Sequence, residues 1–126
     1  MDLMPLATYL EAAGVGKIGQ SIFVDQMPSA CERGVMLRNR RPGVRIDYNL
    51  PGYLKGQIQL MARSHDYQDG SQLIDQALKA ITLISTQVGA QFFNYCRPDT
   101  TPTAFPTSAG NFIEWTTALN VCFVEG

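Results

Sequence analysis

Apolar positions recur along this chain with two periods, and the switches between them predict its elements. Leu3, Leu6, Ala7, Leu10 and Ala13 fall at helical spacing, with Asp2 placed to cap and Pro5 acceptable in a first turn, so residues 3–13 read as a short helix. Gly14, Gly16 and Gly19 end it. Ser21 to Asp25 then reads as a strand stopped by Met27-Pro28, and Gly34 to Leu37 as a weaker one. From Gln57 to Arg63 the period is two: Ile58, Leu60 and Ala62 take one side and Gln57, Gln59 and Arg63 the other, as in a half-buried strand.

Asp69-Gly70-Ser71 opens a second helix, with Asp69 read as its cap. Its apolar stripe is Leu73, Ile74, Ala77, Leu78, Ile81 and Ile84, with Asp75, Gln76 and Lys79 opposite. Gly89 interrupts the pattern, and Ala90 to Arg97 returns to strand with Phe92, Phe93 and Tyr95. In the last stretch Trp115, Thr117, Leu119, Val121 and Phe123 share one face, and Thr116, Ala118, Asn120 and Cys122 the other.

Two stretches fit neither period. Arg38 to Lys55 holds Pro42, Gly43, Pro51 and Gly52 around one extended rhythm at Val44, Ile46 and Tyr48, which predicts a long loop with some strand character. Pro98, Pro102 and Pro106, spread among Thr, Ser and Ala, predict an irregular arm ending near Gly110. The order predicts an α+β fold: a single mixed, mostly antiparallel sheet of four to five strands, two helices packed on one face, a long loop and a Pro-rich arm. A chain of 126 residues buries about two-thirds of its unfolded surface, enough for one core, so residues 1–126 are read as one domain.

Charge adds one feature that the apolar pattern does not. Arg33, Arg38, Arg40, Arg41 and Arg45 lie within thirteen positions with no acid between them, while the other five Lys and Arg face all eleven acids. The chain is nearly neutral in total and two-sided in detail. Arginine, with no lysine in the segment, suits planar two-pronged contact with carboxylate or phosphate. The near-zero net charge and the absence of any recognised nucleic-acid motif favour an acidic protein surface over a nucleic acid, which stays as the alternative. A cationic loop and an acidic remainder also suit head-to-tail contact between copies, and these arginines are then expected to be mostly paired with carboxylates.

Motifs of catalysis fail on context. Gly14-Val15-Gly16-Lys17-Ile18-Gly19 satisfies the string of a dinucleotide-binding turn, yet a helix precedes it and a strand follows, the reverse of the order that motif requires. Ile18 stands where a P-loop needs Ser or Thr. His65 is the single histidine, which excludes zinc or triad schemes needing several, and Cys31 beside Glu32 and Arg33 is the one thiol with a polar setting. Cys96 and Cys122 sit among strand residues as core fillers, and three widely spaced cysteines predict reduced thiols. The expectation is no enzyme, no cofactor and no metal. Ala80 to Arg97 is too polar for a membrane span and the N-terminus lacks signal-peptide character, so a soluble protein without a small-molecule substrate is expected.

Nearly the whole chain resembles one known family. Leu10-Glu11-Ala12-Ala13-Gly14-Val15-Gly16 leading to Ile22-Phe23-Val24, Met27-Pro28 and Gly34-Val35-Met36-Leu37 is similar to the opening of tail terminator proteins of long-tailed phages, also known as tail completion or minor capsid proteins. The likeness continues through Ile46-Asp47, Leu50-Pro51-Gly52-Tyr53, Gly56, Arg63 and Tyr67, and closes with Asn94-Tyr95, Arg97-Pro98, the Pro-rich arm and Trp115. The resemblance implies a virion protein at the head-tail junction, assembled in the host cytoplasm. It would form a ring, commonly of six subunits, that caps the tail tube, ends its polymerisation and meets the head connector, with DNA passing through. It further implies that the long loop and the arm make the contacts, which puts Arg38, Arg40, Arg41, Arg45, Asp47, Tyr48, Tyr53, Pro102, Phe105 and Pro106 at an interface.

Overall fold

The fold is that of a computed structural model, which describes residues 1–28, 30–40, 45–46, 53–106 and 112–125. Helix α1 (Met4–Ala12) is followed by strands β1 (Ile22–Val24), β2 (Gly34–Asn39), β3 (Arg45–Ile46) and β4 (Tyr53–Ser64). Helix α2 (Tyr67–Ile81) then leads to β5 (Leu83–Val88), β6 (Gln91–Pro98), β7 (Thr103–Pro106) and β8 (Ile113–Glu125). The α+β class and the mixed, mostly antiparallel sheet are as expected: β1 and β2 run parallel and every other strand pair is antiparallel.

The sheet holds eight strands among the described residues, against the four to five expected. Its spine is the pairing of β4 with β8 from Tyr53↔Val124 to Ser64↔Ile113, long enough for each strand to carry two shorter ones along its outer edge. Strands β2 and β3 lie in line along β4, and β6 and β7 in line along β8. Strands β1 and β5 extend the two sides. Part of the expected arm is therefore ladder, since Thr103–Pro106 pairs with Thr116 to Ile113. Pro106, with no N–H to donate, sits where such a residue is tolerated, at the end of a short outer strand. The excursion from Arg38 to Lys55 likewise contains the end of β2, all of β3 and the start of β4; its residues 41–44 and 47–52 lie outside the described ones.

Alternation decides which face is covered. Ile58, Leu60 and Ala62 of β4 and Trp115, Leu119, Val121 and Phe123 of β8 are buried in one cluster with Leu73, Ile74, Ala77 and Ile81 of α2, Leu6 and Leu10 of α1 and Leu3 at its N-cap. Both helices thus pack on one face, as the two periods require. Ile84 departs from the expected stripe. The helix ends at Ile81 because Thr82 takes an extended conformation and turns its hydroxyl to the carbonyl of Leu78 at 2.6 Å. Ile84 belongs to β5 and is 79% exposed.

Helix α2 also starts earlier than the pattern suggested. Asp66, not Asp69, is the N-cap, accepting the N–H of Asp69 at 3.3 Å. The glycine string after α1 is a helix stop. Gly14 at φ 83° donates to the carbonyl of Glu11, and Val15 donates to that of Leu10, the paired bonds of a Schellman ending, with Val15 buried beside the helix. Glu11 then accepts the N–H of Ile18 at 2.8 Å, so these backbone groups are engaged within the turn.

Candidate partner-binding face

The sheet face away from the helices carries the chain's densest polar network. Its alternate positions on β4 and β8 are Gln57, Gln59, Met61, Arg63 and Glu114, Thr116, Ala118, Asn120. Arg40, just beyond β2, donates to Gln57 Oε1 at 2.7 Å. The Gln57 amide donates onward to Asn120 Oδ1 at 2.9 Å and to Asp99 Oδ2 at 3.3 Å, and Asn120 donates to Asp99 Oδ1 at 3.2 Å. Gln59 bonds the Thr116 hydroxyl at 2.7 Å. These bonds tie β4 and β8 to each other and to the residues that follow β2 and β6. The network is specific because an amide offers a donor and an acceptor at fixed geometry.

The arginine segment is divided among three places. Arg33 stands before β2 and grips Asp69 in the first turn of α2, with Nε at 2.8 Å and Nη2 at 3.2 Å from its two oxygens. Arg38 projects from β2 on the open face, in register with Gln59, and is exposed; among the described residues it has no hydrogen bond or ion pair. Arg40 meets an amide, and Arg45 lies in β3 with its backbone opposite Lys55. Carboxylate pairing was expected for most of these residues. Of Arg33, Arg38 and Arg40, it is Arg33 that has it among the described residues.

Other expected interface residues are less concentrated. Tyr53 opens β4 opposite Val124, and Phe105 and Pro106 lie in β7 opposite Glu114 and Ile113. Pro102 lines a separate depression of about 330 Å³ with Leu78 and Pro98. Arg41, Asp47 and Tyr48 lie outside the described residues. The structure therefore brings Arg38 and Arg40 together on one face and leaves Pro102 elsewhere. The groups that complete this face, Gln57, Gln59, Asn120 and Asp99, carry no motif. Alternation placed Gln57 and Gln59 on one side of their strand and Asn120 on one side of another, and the pairing of β4 with β8 joins them.

Asp69 illustrates how charge and fold are coupled. The Arg33 guanidinium and then the Ser64 hydroxyl, 2.7 Å away, hold its carboxyl below the ordinary 3.8. A carboxyl depressed in the folded state contributes stability that is present above the unfolded value and lost as pH falls through the folded one. Unfolding between pH 5 and 2 should thus show a steeper loss for the natural protein than for Asp69→Asn. Parallel curves would dismiss the coupling. With Asp69 and Arg33 side chains 36% and 54% exposed, the effect is solvent-screened and small.

The remaining candidates for chemistry are scattered. His65 is half exposed, its Nε2 3.9 Å from Glu32 Oε2 and its ring 4.5 Å from that of Phe112. All three cysteines are free thiols; Cys31 is partly exposed and Cys96 and Cys122 are buried. Burial pushes the Cys96 thiol up to about 12. A disulfide reagent at pH 8 should titrate one thiol quickly in the folded protein and three after denaturation. Two fast thiols would contradict this burial.

The profile of the bacteriophage tail terminator protein family matches residues 9–124, and the chain belongs to that family. It is a structural protein of phage tails. In fold it is similar to a chain of the virion of a native gene transfer agent particle, with a TM-score of 0.70 and 11% identity over 96% of this chain and 92% of that one. A search of curated proteins finds no match.

Proposed function

We propose that this protein ends the growth of the phage tail tube by forming a homo-oligomeric ring, of six subunits, on its head-proximal end, and that the ring's other side receives the head connector. The family match over residues 9–124 carries the reading. The whole chain acts as one tail-terminator unit, and DNA crosses the ring without sequence-specific contact. Arg38, Arg40, Arg41, Arg45, Asp47, Tyr48, Tyr53, Phe105 and Pro106 contribute to contacts between subunits or with neighbouring rings, with Pro102 at their margin. Two guanidiniums on a shared face, neither meeting a carboxylate among the described residues, support such a role for Arg38 and Arg40.

Tube assembly in the presence and absence of the purified protein tests the proposal. Electron microscopy should show rings at one end of each tube and a narrowed distribution of tube lengths. Tubes that grow past bound protein, or a protein that never binds tube ends, would reject it. Duplex DNA binding that weakens steeply with salt would instead favour a nucleic-acid accessory role for the segment from Arg33 to Arg45.

A further inference from the structure

The open face is not flat. Ala118 ends in a methyl group beside the longer Gln59, its partner in register, and the space it leaves is a groove of about 290 Å³ lined by Arg40, Gln59, Thr100, Thr103, Thr116 and Ala118. A second depression of about 360 Å³, bounded by Arg38, Asn39, Arg40 and Gln59, continues it toward β2. At the β2 end two guanidiniums flank the space. Arg38 has no polar partner among the described residues, and Arg40 commits a single bond to an amide oxygen.

We infer that this groove docks an extended acidic segment of a neighbouring protein in the particle, a conclusion that rests on the assembly role proposed above and names the chemistry of the partner. The first ground is charge complementarity with matching spacing. Arg38 and Arg40 are two residues apart as β2 ends, which puts them on one side of the chain about 7 Å apart. Carboxylates on alternate residues of an extended peptide repeat at the same interval. Two-pronged pairing of each with a guanidinium is the strongest polar contact open to either. The second ground is the lining, since the Thr and Gln side chains offer both donors and acceptors, as a peptide backbone does.

Asp99 lies outside this lining. Both of its oxygens accept from amides, of Gln57 and of Asn120, and Gln57 in turn accepts from Arg40, so the amide network behind the groove holds Arg40 in place.

Fluorescence anisotropy of the full-length protein tests this with a labelled ten-residue peptide of alternating Asp and Thr, the same peptide with Asn for Asp, and a labelled single-stranded DNA of twenty nucleotides. The acidic peptide should bind saturably and the Asn peptide at least tenfold more weakly, with Arg38→Ala and Arg40→Ala each costing about tenfold. Ala118→Phe should abolish binding by filling the groove at constant charge. Arg38 is exposed and unpartnered among the described residues, so Arg38→Ala retains the fold and keeps the test decisive if Ala118→Phe does not.

Equal binding of the two peptides, indifference to Arg38→Ala, or tighter binding of the DNA would overturn the inference. So would competition between the acidic peptide and the protein's own self-association, which would make a second copy the occupant. Tubes capped normally by a protein that ignores the peptide would reject the groove and leave the terminator reading intact.

Discussion

Replacing Arg63 by Met is expected to destabilise the protein by about 3 kcal/mol, the cost of breaking a buried pair on one side. Arg63 projects from β4, and its side chain and that of Glu114 on β8 are 14% and 11% exposed, with Nη2 to Oε2 at 3.1 Å. Its Nη1 also reaches the carbonyls of Pro28 at 3.1 Å and Cys31 at 3.2 Å, so one guanidinium fastens the segment before β2 to the sheet. The Met variant leaves a nearly buried carboxylate without its cation and takes the guanidinium from the Cys31 carbonyl, while the Pro28 carbonyl keeps the N–H of Cys31.

Thermal unfolding should fall by about 10 °C in a domain of this size. The partner change gives the discriminating measurement. Arg63→Met with Glu114→Leu should recover much of the loss, because an apolar pair carries no uncompensated charge. A single variant within 1 kcal/mol of the natural protein would show that the pair contributes little.

The second large effect is expected at the centre of the core. Phe123 on β8 and Phe93 on β6 are fully buried with ring centroids 5.3 Å apart. Strand β8 is paired on both sides at this position, with Leu54 and with Phe93, so the backbone cannot collapse into a void. Phe123→Ala should therefore cost about 3–5 kcal/mol in urea unfolding, the combined loss of transfer energy and of packing around the cavity. Phe93→Ala should cost a similar amount. Their combination should fall short of the sum by about 1 kcal/mol, since each variant already removes the contact between the rings. Strict additivity would show that the two rings stabilise the fold independently.

Period-two and helical patterns in the sequence located both helices, β1, β4, β6 and β8, because each buries one face against the same core and writes that face into its own residues. Gly34 to Leu37 was legible for the same reason, with Val35 and Leu37 fully buried. Strand β5 was hidden in the helix pattern. Ile81 and Ile84 are three apart and mimic a stripe, although the run of Thr82, Ile84, Thr86 and Val88 carries the β-branched composition of a strand. Strands β3 and β7 have two and four residues and exist because a longer neighbour offers them a ladder. The extended rhythm at Val44, Ile46 and Tyr48 marked β3, whereas β7 lies in the Pro-rich stretch read as an irregular arm.

By itself the sequence determined the class of fold, the inward face of β4 and β8, the glycine stop after α1, the burial of Cys96 and Cys122 and the family to which the chain belongs. These follow from local periodicity, from turn chemistry or from a pattern spread over nearly the whole length. The tertiary structure alone decided how the arginine segment is used. Adjacent in sequence, its members are separated in space. Arg33 is spent on Asp69 at the start of α2, while Arg38 and Arg40 share an open face with Gln57, Asn120 and Asp99 from three other strand regions. The physical reason is that pairing register sets which side chains meet across a sheet, and register arises from contacts between residues distant in the chain.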